Sequence, residues 1–312
     1  MRLLLIITSL LALIWSSYWI IFSVKLKSDV SDFIESHNSD QLLVDYSDLS
    51  IKGFPNRFDI TLNKLYIRDN DLSVTWLLPY FQILSLSYKP NHLILVFPNT
   101  QTLENGNNKI IFNTTDMLAS LSFMDYKFSE LDQFILSIEE SELKGPKRKI
   151  LNTTALNFAV KQNKTRNGNY HLGFRGNDIQ LNLTEKNNFN FIFDVEMALE
   201  ELNGQTNKKM PKISTVDIKA LNLSSPNFNI NGNGKASFND NNIKDGVLNI
   251  KAKNWRSFFN TLFPENAKLR MGLDLIAPVT QNDETLHFSL KVENGNIYLG
   301  PIFIGSLSNI LE

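Results

Sequence analysis

The side chains best suited to chemistry in this chain are its four histidines, and their spacing matches no common metal or catalytic motif. None of them stands in the H-x-x-x-H or H-E-x-x-H spacing that a helical zinc site needs. The chain has no cysteine, which excludes thiolate metal ligands, cysteine nucleophiles and disulfide bonds. No G-x-S-x-G nucleophile elbow occurs either. The histidines are His37, His92, His171 and His287.

Two other clusters have simpler explanations than chemistry. Gly232-Asn233-Gly234 is a lone G-x-G in strand-rich sequence without a following helix pattern, which argues against a dinucleotide-binding loop. Glu139, Glu140 and Glu142 stand beside basic residues, where solvation accounts for them. We therefore predict no catalytic, cofactor-binding or metal-binding residues and a protein that is not an enzyme. Carboxylates that meet only in the folded chain leave no such pattern, so a site built by convergence stays open.

The chain begins with an apolar segment that determines where the rest of the protein lies relative to a membrane. Residues 3–24 are nearly all apolar, and about 20 such residues suffice to cross a bilayer. The run is longer than the core of a secretory signal peptide and lacks an A-x-A-like cleavage site. Trp15, Tyr18, Trp19 and Phe22 lie toward its end, where amphipathic rings suit a membrane interface. We predict an uncleaved single-pass signal-anchor.

The short N-terminal tail and the long following domain favour an N-terminus inside the cell and an exported bulk, whereas the flanking charges decide little. After the apolar run, Leu26, Val30, Phe33 and Ile34 recur at helical spacing. This spacing predicts that the helix continues to about His37 and docks on the domain. Residues 1–37 are thus predicted to be anchor and juxtamembrane helix, and residues 38–312 a periplasmic β-rich domain.

Alternation of apolar and polar residues dominates the remaining chain and indicates half-buried antiparallel strands. Turn signals separate the alternating segments: Asn105-Gly106, Asn167-Gly168, Asn203-Gly204, Asn231-Gly232 and Asn294-Gly295. The strand segments are centred on residues 42–46, 58–62, 72–76, 134–138, 156–160, 170–174, 189–195, 269–275 and 286–292. Residues 115–121 and 255–263 are the short helices that the pattern allows. The predicted fold is mainly β, a long antiparallel meander that forms either a curled sheet or a β-sandwich.

A polar segment at residues 142–152, which contains Gly145-Pro146, divides this β-rich region. It is either a seam between two halves, 38–145 and 150–312, or a long hairpin loop within one continuous sheet. A second polar break runs over residues 203–212. The net charge of −1 lacks the basic footprint of a nucleic-acid-binding domain.

Two segments carry a resemblance to a known family. The first is Gly53-Phe54-Pro55-Asn56-Arg57-Phe58, and the second runs from Pro79 through Gln82, Leu84 and Tyr88 to Pro90-Asn91-His92. With the N-terminal anchor ahead of them, they resemble the bacterial family called domain of unknown function 2125. The resemblance implies an inner-membrane anchor and a periplasmic domain, and it implies no activity. The C-terminal third, with Gly295 and Gly300-Pro301, is similar in style to AsmA-like envelope proteins.

The same segments have a direct physical interpretation. Pro55 and Pro79 cannot donate to a strand ladder, so each is predicted to mark a strand end or edge. Arg57 and Asp59 are two residues apart and should share the solvated face. Residues 88–92 should form a rigid corner, because Pro90 restricts the residue before it to extended geometry.

Two functions suit such a domain. A sheet with a continuous apolar face and 22 phenylalanines in the chain could line a groove for lipid or another amphiphile. The alternative is a non-enzymatic interaction or assembly protein that binds a periplasmic partner through a sheet edge or surface patch. The expected partners are therefore the membrane and either a lipid or a periplasmic protein, with no cofactor and no nucleic acid.

Overall fold

A computed structural model describes residues 1–106, 108–128, 130–146, 149–163, 168–181, 188–199, 212–239, 242–257 and 285–306. One long helix, α1 (Arg2–His37), precedes a succession of strands. The strands of the first half are β1 (Leu42–Asp45), β2 (Asp48–Lys52), β3 (Arg57–Asp69), β4 (Val74–Leu86), β5 (Lys89–Val96), β6 (Thr100–Asn105), β7 (Asn108–Asn113), β8 (Asp116–Phe123) and β9 (Leu131–Lys144). Those of the second half are β10 (Lys149–Gln162), β11 (Asn169–Leu181), β12 (Phe189–Leu199), β13 (Ile213–Ser225), β14 (Phe228–Asn239), β15 (Asn242–Lys253), β16 (Thr285–Glu293), β17 (Asn296–Leu299) and β18 (Ile302–Ser306).

Helix α1 is 36 residues long, which corresponds to about 54 Å at 1.5 Å per residue. None of its residues is buried, and among the described residues it is the one helix long and apolar enough to cross a membrane. A helix of this length and composition suggests a single-pass anchor, although a signal sequence has the same properties. The helix ends at His37, as the apolar spacing of its second half predicted.

The chain divides into two compact units, residues 1–150 and 151–312. In the first unit, β3 pairs on one side with β1 and β2 and on the other with β4. Strand β4 then pairs with β5 along one half and with β6 along the other. In the same way β9 pairs with β8 and β7. All these pairings are antiparallel. Three rows of the sheet are each made of two short strands in succession, namely β1 with β2, β5 with β6, and β7 with β8.

A buried glutamine stabilises one of the breaks between short strands. Gln101 begins β6 and is 1 % exposed. Its side-chain carbonyl accepts a hydrogen bond from Trp76 Nε1 at 3.0 Å, and its amide donates to the carbonyl oxygen of Pro98 at 3.2 Å. The side chain of Gln101 is therefore hydrogen-bonded inside the sheet, and it pairs the carbonyl oxygen of Pro98 in the break between β5 and β6.

The core of the first unit includes part of the helix. Leu49, Leu62, Leu65 and Leu78 form a buried cluster on β2, β3 and β4. Val30 and Ile34 of α1 pack against this cluster. The juxtamembrane half of α1 therefore docks on the sheet with the apolar side chains that the sequence indicated, while Phe33 stays 62 % exposed.

The second unit is a simple meander in which β10 to β18 pair antiparallel with their neighbours in chain order. Its buried cluster lies toward one end of the strands, where Trp255 packs with side chains of β14 to β17. Besides Trp255 and Ala252 of β15, the cluster contains Phe228, Ile230, Leu286 and Leu299. The mainly β, antiparallel fold class is thus confirmed for the described residues.

Several local predictions were wrong. Residues 116–123 form strand β8 rather than a helix, because Met117, Ala119 and Leu121 alternate on one face and pair with β5 and β9. Asn231-Gly232 is no turn and lies inside β14. Pro79 does not end a strand: it lies within β4, where it and Lys64 of β3 are both skipped in the register, and Lys64 has a φ of 50°.

Other predictions fall partly or wholly outside the described residues. Residues 255–257 are helical, whereas the rest of the predicted 255–263 helix is not described. The predicted strand at 269–275 and the Asn203-Gly204 turn also lie outside, as does Asn167 of the Asn167-Gly168 turn. Asn294-Gly295 joins β16 to β17, as predicted, and both residues have a positive φ.

Candidate functional site

The most extensive candidate site is the apolar face of the second unit. Because directly opposed residues of antiparallel strands share a face, the strand registers define rows across the sheet. One row contains Val160, Leu172, Val195, Ile218, Gly234, Leu248 and Leu290. The next row contains Phe158, Phe174, Phe193, Leu221, Gly232, Ile250 and Phe288. The face is therefore apolar without interruption from β10 to β16.

Most of this face is only half-buried. Val195 is 4 % exposed and Leu286, in a neighbouring row, 1 %, but the aromatic row and most of the Val160–Leu290 row retain intermediate exposure. In a closed two-layer core most such side chains would be fully buried. The phenylalanines also contact each other directly, with ring centroids 5.7 Å apart between Phe174 and Phe191 and 6.3 Å apart between Phe191 and Phe193. The face thus offers accessible apolar surface at least three strands wide.

The two glycines of β14 lie where the backbone of β15 leaves too little room for a side chain. A Cβ placed on Gly234 would lie 2.3 Å from the carbonyl oxygen of Val247 and 2.9 Å from Leu248 Cα. No side chain fits there without moving the backbone of β15. Gly232 and Gly234 are therefore structural residues of the strand pair, which explains the G-x-G without any nucleotide.

The opposite face of the same unit carries charged and amide side chains, and a groove of about 980 Å³ with both polar and apolar lining lies over β13, β14 and β15. An ion network lines it: Lys219 Nζ lies 2.8 Å from an Asp217 carboxylate oxygen and 3.1 Å from one of Glu196, and Lys235 Nζ lies 3.2 Å from Asp217. Hydrogen bonds from Lys219 and Lys235 lower the pKa of Asp217. Hydrogen bonds that Lys219 donates to Asp217 and Glu196 raise the pKa of Lys219. These solvated ion pairs are cross-strand contacts of the kind that stabilise a sheet.

Asparagine side chains continue this polar face toward β16. Asn222 donates to Asn231 at 2.5 Å, and Asn249 links the side chains of Asn233 and Ser289 at 3.3 and 2.7 Å. His287 also borders this part of the face. The arrangement is a ladder of amides paired with each other and offers no acid–base pair.

Three of the histidines each lie close to a local hydrogen-bonding partner. His37 Nδ1 lies 2.8 Å from the carbonyl oxygen of Phe33, and His92 Nε2 lies 3.0 Å from Ser120 Oγ. His171 Nε2 lies 2.7 Å from Asp194 Oδ1 on the exposed face. Within the described ranges, no group of three or more His, Asp or Glu residues is placed to hold a metal ion.

Of the three clustered glutamates, Glu142 forms ion pairs with lysines. Glu142 lies between Lys144 and Lys149, with its carboxylate 2.5 Å from Lys144 Nζ. Hydrogen bonds from these two lysines, in that order, lower the pKa of Glu142. This surface cluster pairs charges at the end of β9.

The first resemblance segment forms a junction with the anchor helix. Trp15 Nε1 donates to the carbonyl oxygen of Pro55 at 3.0 Å, and Trp19 Nε1 donates to that of Arg57 at 2.9 Å. The ring of Trp19 stacks on Phe58 with centroids 5.7 Å apart. Sequence reasoning placed these tryptophans at a membrane interface and missed their contact with the domain. Their i, i+4 spacing, which aligns them on one helix face, was the available signal.

The turn of this segment depends on its glycine. Gly53 has a φ of 104°, and a Cβ there would lie 2.9 Å from both the Cβ and the carbonyl oxygen of Arg57. Arg57 and Asp59 share a face as predicted, and Arg57 Nε donates to Asp59 Oδ1 at 3.0 Å. The rigid corner predicted at residues 88–92 is wrong: the turn is confined to Ser87 and Tyr88, because residues 89–92 already belong to β5. Asn91 of this strand donates to the carbonyl oxygen of Phe123 at 2.8 Å and so ties the start of β5 to the end of β8.

Comparison with known proteins supports the resemblance. The profile of a family described as "Uncharacterized protein conserved in bacteria (DUF2125)" matches residues 19–308. No curated protein and no solved structure matched. The similarity in style to AsmA-like proteins has no support among these comparisons. Because the family profile covers nearly the whole chain, the protein belongs to the DUF2125 family of bacterial proteins.

Proposed function

We propose that this protein is anchored in the bacterial inner membrane by α1, and that its β-rich part lies in the periplasm and handles lipid or another amphiphile. The observation that carries the proposal is the continuous apolar face of the second unit, which spans β10 to β16 and stays half-exposed. Apolar lining of this kind is what acyl chains need in a binding site. The role is one of binding and requires no catalytic residue.

The anchor supports the membrane location. Both tryptophans that hydrogen-bond to the Gly53–Phe58 segment lie inside the apolar run, so the helix is part of the domain's packing as well as a membrane segment. A cleaved signal sequence would remove these contacts.

Membrane orientation can be tested with a reporter fused after residue 312. Alkaline phosphatase folds to an active enzyme only where disulfides form, in the periplasm. We expect an active fusion, whereas a fusion that stays inactive while a cytoplasmic reporter works would reverse the orientation. The native chain itself has no cysteine, so the reporter's disulfides cannot be scrambled with it.

Lipid binding can be tested by photocrosslinking in the full chain. The protein is reconstituted with a phospholipid that carries a diazirine on its acyl chain, and the crosslinked peptides are mapped by mass spectrometry. Helix α1 should be labelled in any case. The proposal predicts additional labelling on the apolar face of β10 to β16, and label confined to α1 would contradict it.

A pair of adjacent substitutions separates the two faces of the sheet. Leu248 lies on the apolar face, and Val247 lines the groove on the opposite face with 37 % exposure. A carboxylate facing acyl chains costs well over the 1.4 kcal/mol that corresponds to a tenfold change in occupancy. We therefore expect Leu248→Asp to reduce labelling of β14 to β16 at least about tenfold and Val247→Asp to leave it unchanged.

The alternative function, binding of a periplasmic protein, is supported by strand β18. Its side chains Ile302, Phe303 and Ile304 are 37, 58 and 45 % exposed. Exposed apolar patches of this kind often mark protein contacts. A photoreactive amino acid at position 303 should then capture one specific protein in cells, which the lipid proposal does not require.

A further inference from the structure

Five large apolar side chains are exposed in the loops at one end of the first unit's sheet. We call this group the aromatic tip. It consists of Phe54 (53 %), Tyr88 (67 %), Met124 (49 %), Tyr126 (68 %) and Phe128 (45 %). A soluble domain rarely concentrates exposed aromatic residues in this way, so the tip indicates a surface that meets something apolar.

The strand directions place these residues at the same end. Strand β3 begins where β4 ends, since Arg57 is paired with Leu86. Strand β5 begins at the end of β4, and β8 ends beside the start of β5, where Ser122 is paired with His92. The turn before β3, the β4–β5 turn and the β8–β9 loop are therefore neighbours along one edge of the unit.

Hydrogen bonds join these loops into one surface. The Ser87 amide donates to the carbonyl oxygen of Asn56 at 2.8 Å, which links the β4–β5 turn to the Gly53–Phe58 segment. Asn91 donates to the carbonyl oxygen of Phe123 at 2.8 Å, which links β5 to the β8–β9 loop. Phe123 and Phe128 pack edge to face, with centroids 5.1 Å apart. The tip is thus held as a unit by the backbone of the sheet.

The anchor helix sets the depth of the tip. Trp15 and Trp19 bind the Gly53–Phe58 segment, yet the apolar run continues to Val24. At 1.5 Å per residue, Val24 lies about 13 Å beyond Trp15 along the helix. Residues 3–15 alone would span only about 20 Å, short of the roughly 30 Å hydrocarbon core. A helix that spans the bilayer with its whole apolar run therefore carries the neighbouring Phe54-Pro55 turn down to the membrane.

We propose that the aromatic tip inserts into the outer-leaflet interface of the membrane that α1 crosses. Tyrosine and phenylalanine suit this zone, and the neighbouring lysines Lys89 and Lys127 can extend their ammonium groups to lipid phosphates. The tip would hold the first unit against the bilayer at a second place besides the helix. This inference rests on the anchoring part of the proposed function and is independent of lipid binding by the second unit.

Depth-dependent fluorescence quenching tests the proposal in the full chain. Because the chain has no cysteine, each variant acquires a single thiol for an environment-sensitive NBD label. The labels are placed with Tyr88→Cys and Tyr126→Cys, and the matched control is Leu72→Cys. Leu72 is 68 % exposed in the β3–β4 turn at the opposite end of the sheet. The protein is reconstituted in vesicles of phosphatidylethanolamine and phosphatidylglycerol that contain a lipid spin-labelled near the headgroup.

We expect the spin-labelled lipid to quench the label at positions 88 and 126 and to leave the label at position 72 unquenched. Equal quenching at all three positions, or none at 88 and 126, would overturn the proposal. Leu10→Cys, measured in vesicles that contain a lipid spin-labelled in the middle of its acyl chain, separates this result from failure of the anchor, because residue 10 lies well inside the apolar run. Quenching at position 10 without quenching at the tip overturns the tip alone, whereas no quenching at position 10 overturns the membrane anchor and the tip together.

Discussion

The indole nitrogen of Trp19 lies 2.9 Å from the carbonyl oxygen of Arg57, and this hydrogen bond ties an apolar N-terminal helix to the first turn of a β-domain. Trp15 makes the same kind of bond to Pro55, four residues earlier on the helix. The two bonds satisfy backbone carbonyls that would otherwise face the apolar helix unpaired. The junction makes α1 part of the packing of the first unit.

Removing the Trp19 hydrogen bond should weaken this junction measurably. Trp19→Phe keeps an aromatic ring and loses the N–H, which should cost about 0.5–1.5 kcal/mol of unfolding free energy. Trp19→Ala also loses the contacts with Phe54 and Phe58 and should cost about 0.5–1.5 kcal/mol more. Chemical denaturation of the full chain in detergent micelles measures both. Ile21→Val, at a position 69 % exposed, is the control, and equal stability of all four proteins would contradict the assignment.

Gly53 should tolerate no side chain. Gly53→Ala combines a φ of 104° with a Cβ only 2.9 Å from Arg57 backbone and side-chain atoms. Strain of this kind costs about 1–3 kcal/mol. Gly106→Ala has a positive φ of 56° but nothing within 4 Å of the new Cβ. We therefore expect thermal unfolding to show a larger loss for Gly53→Ala, and a loss no larger than that of Gly106→Ala would refute the steric argument.

The glycines of the second unit offer a second matched pair. Gly234→Ala would drive a methyl group to 2.3 Å from the carbonyl oxygen of Val247, so β14 and β15 must separate. Gly173→Ala meets nothing within 4 Å and should be neutral or stabilise by up to about 1 kcal/mol, because alanine restricts the unfolded chain. Hydrogen exchange of the β14 and β15 amides is the measurement. Undiminished protection in Gly234→Ala would show that the strands are not in close contact.

The Asp217 network should make stability depend on pH in one direction. Lys219 and Lys235 lower the pKa of Asp217 in the folded protein. Its stabilising contribution is then fully present above the ordinary aspartate pKa of about 3.9 and disappears as the pH falls through the lowered folded value. Asp217→Asn should therefore melt below the wild type at pH 7, and the difference should shrink at acidic pH and in high salt.

Because the network is solvent-exposed, the effect of Asp217→Asn should be small. Asp245→Asn, at an exposed carboxylate two strands away on β15, is the control for simple loss of negative charge. A melting difference that grows as the pH falls, or that the control reproduces in full, would contradict the role of the lysines.

The spacing of apolar residues in the sequence was sufficient to predict whether most elements are helices or strands. The alternation in residues 189–195 and 286–292 predicted β12 and β16, and the apolar spacing through Val30 and Ile34 predicted where α1 ends and what it packs against. These signals are local, because a side chain's face follows directly from its position in a strand or helix. The same locality produced the errors. Residues 116–123 and the Asn231-Gly232 pair lie in strands that are fixed by their pairing with neighbouring strands, and a short helix or turn signal does not contain that pairing.

The sequence alone predicted neither the register of the strands nor how deeply their side chains are buried. Alternation looks identical in an open apolar face and in a closed core, so the half-exposure of Phe193 and Leu248 emerged only from the folded chain. The bonds from Trp15 and Trp19 to residues some 40 positions away likewise depend on how α1 crosses the start of β3. Such contacts arise from long-range packing, and the same residues read locally indicate only a membrane interface. The sequence by itself thus predicted a membrane anchor and a β-rich protein of the DUF2125 family. Only the tertiary structure placed the side chains of the apolar face and of the aromatic tip next to each other.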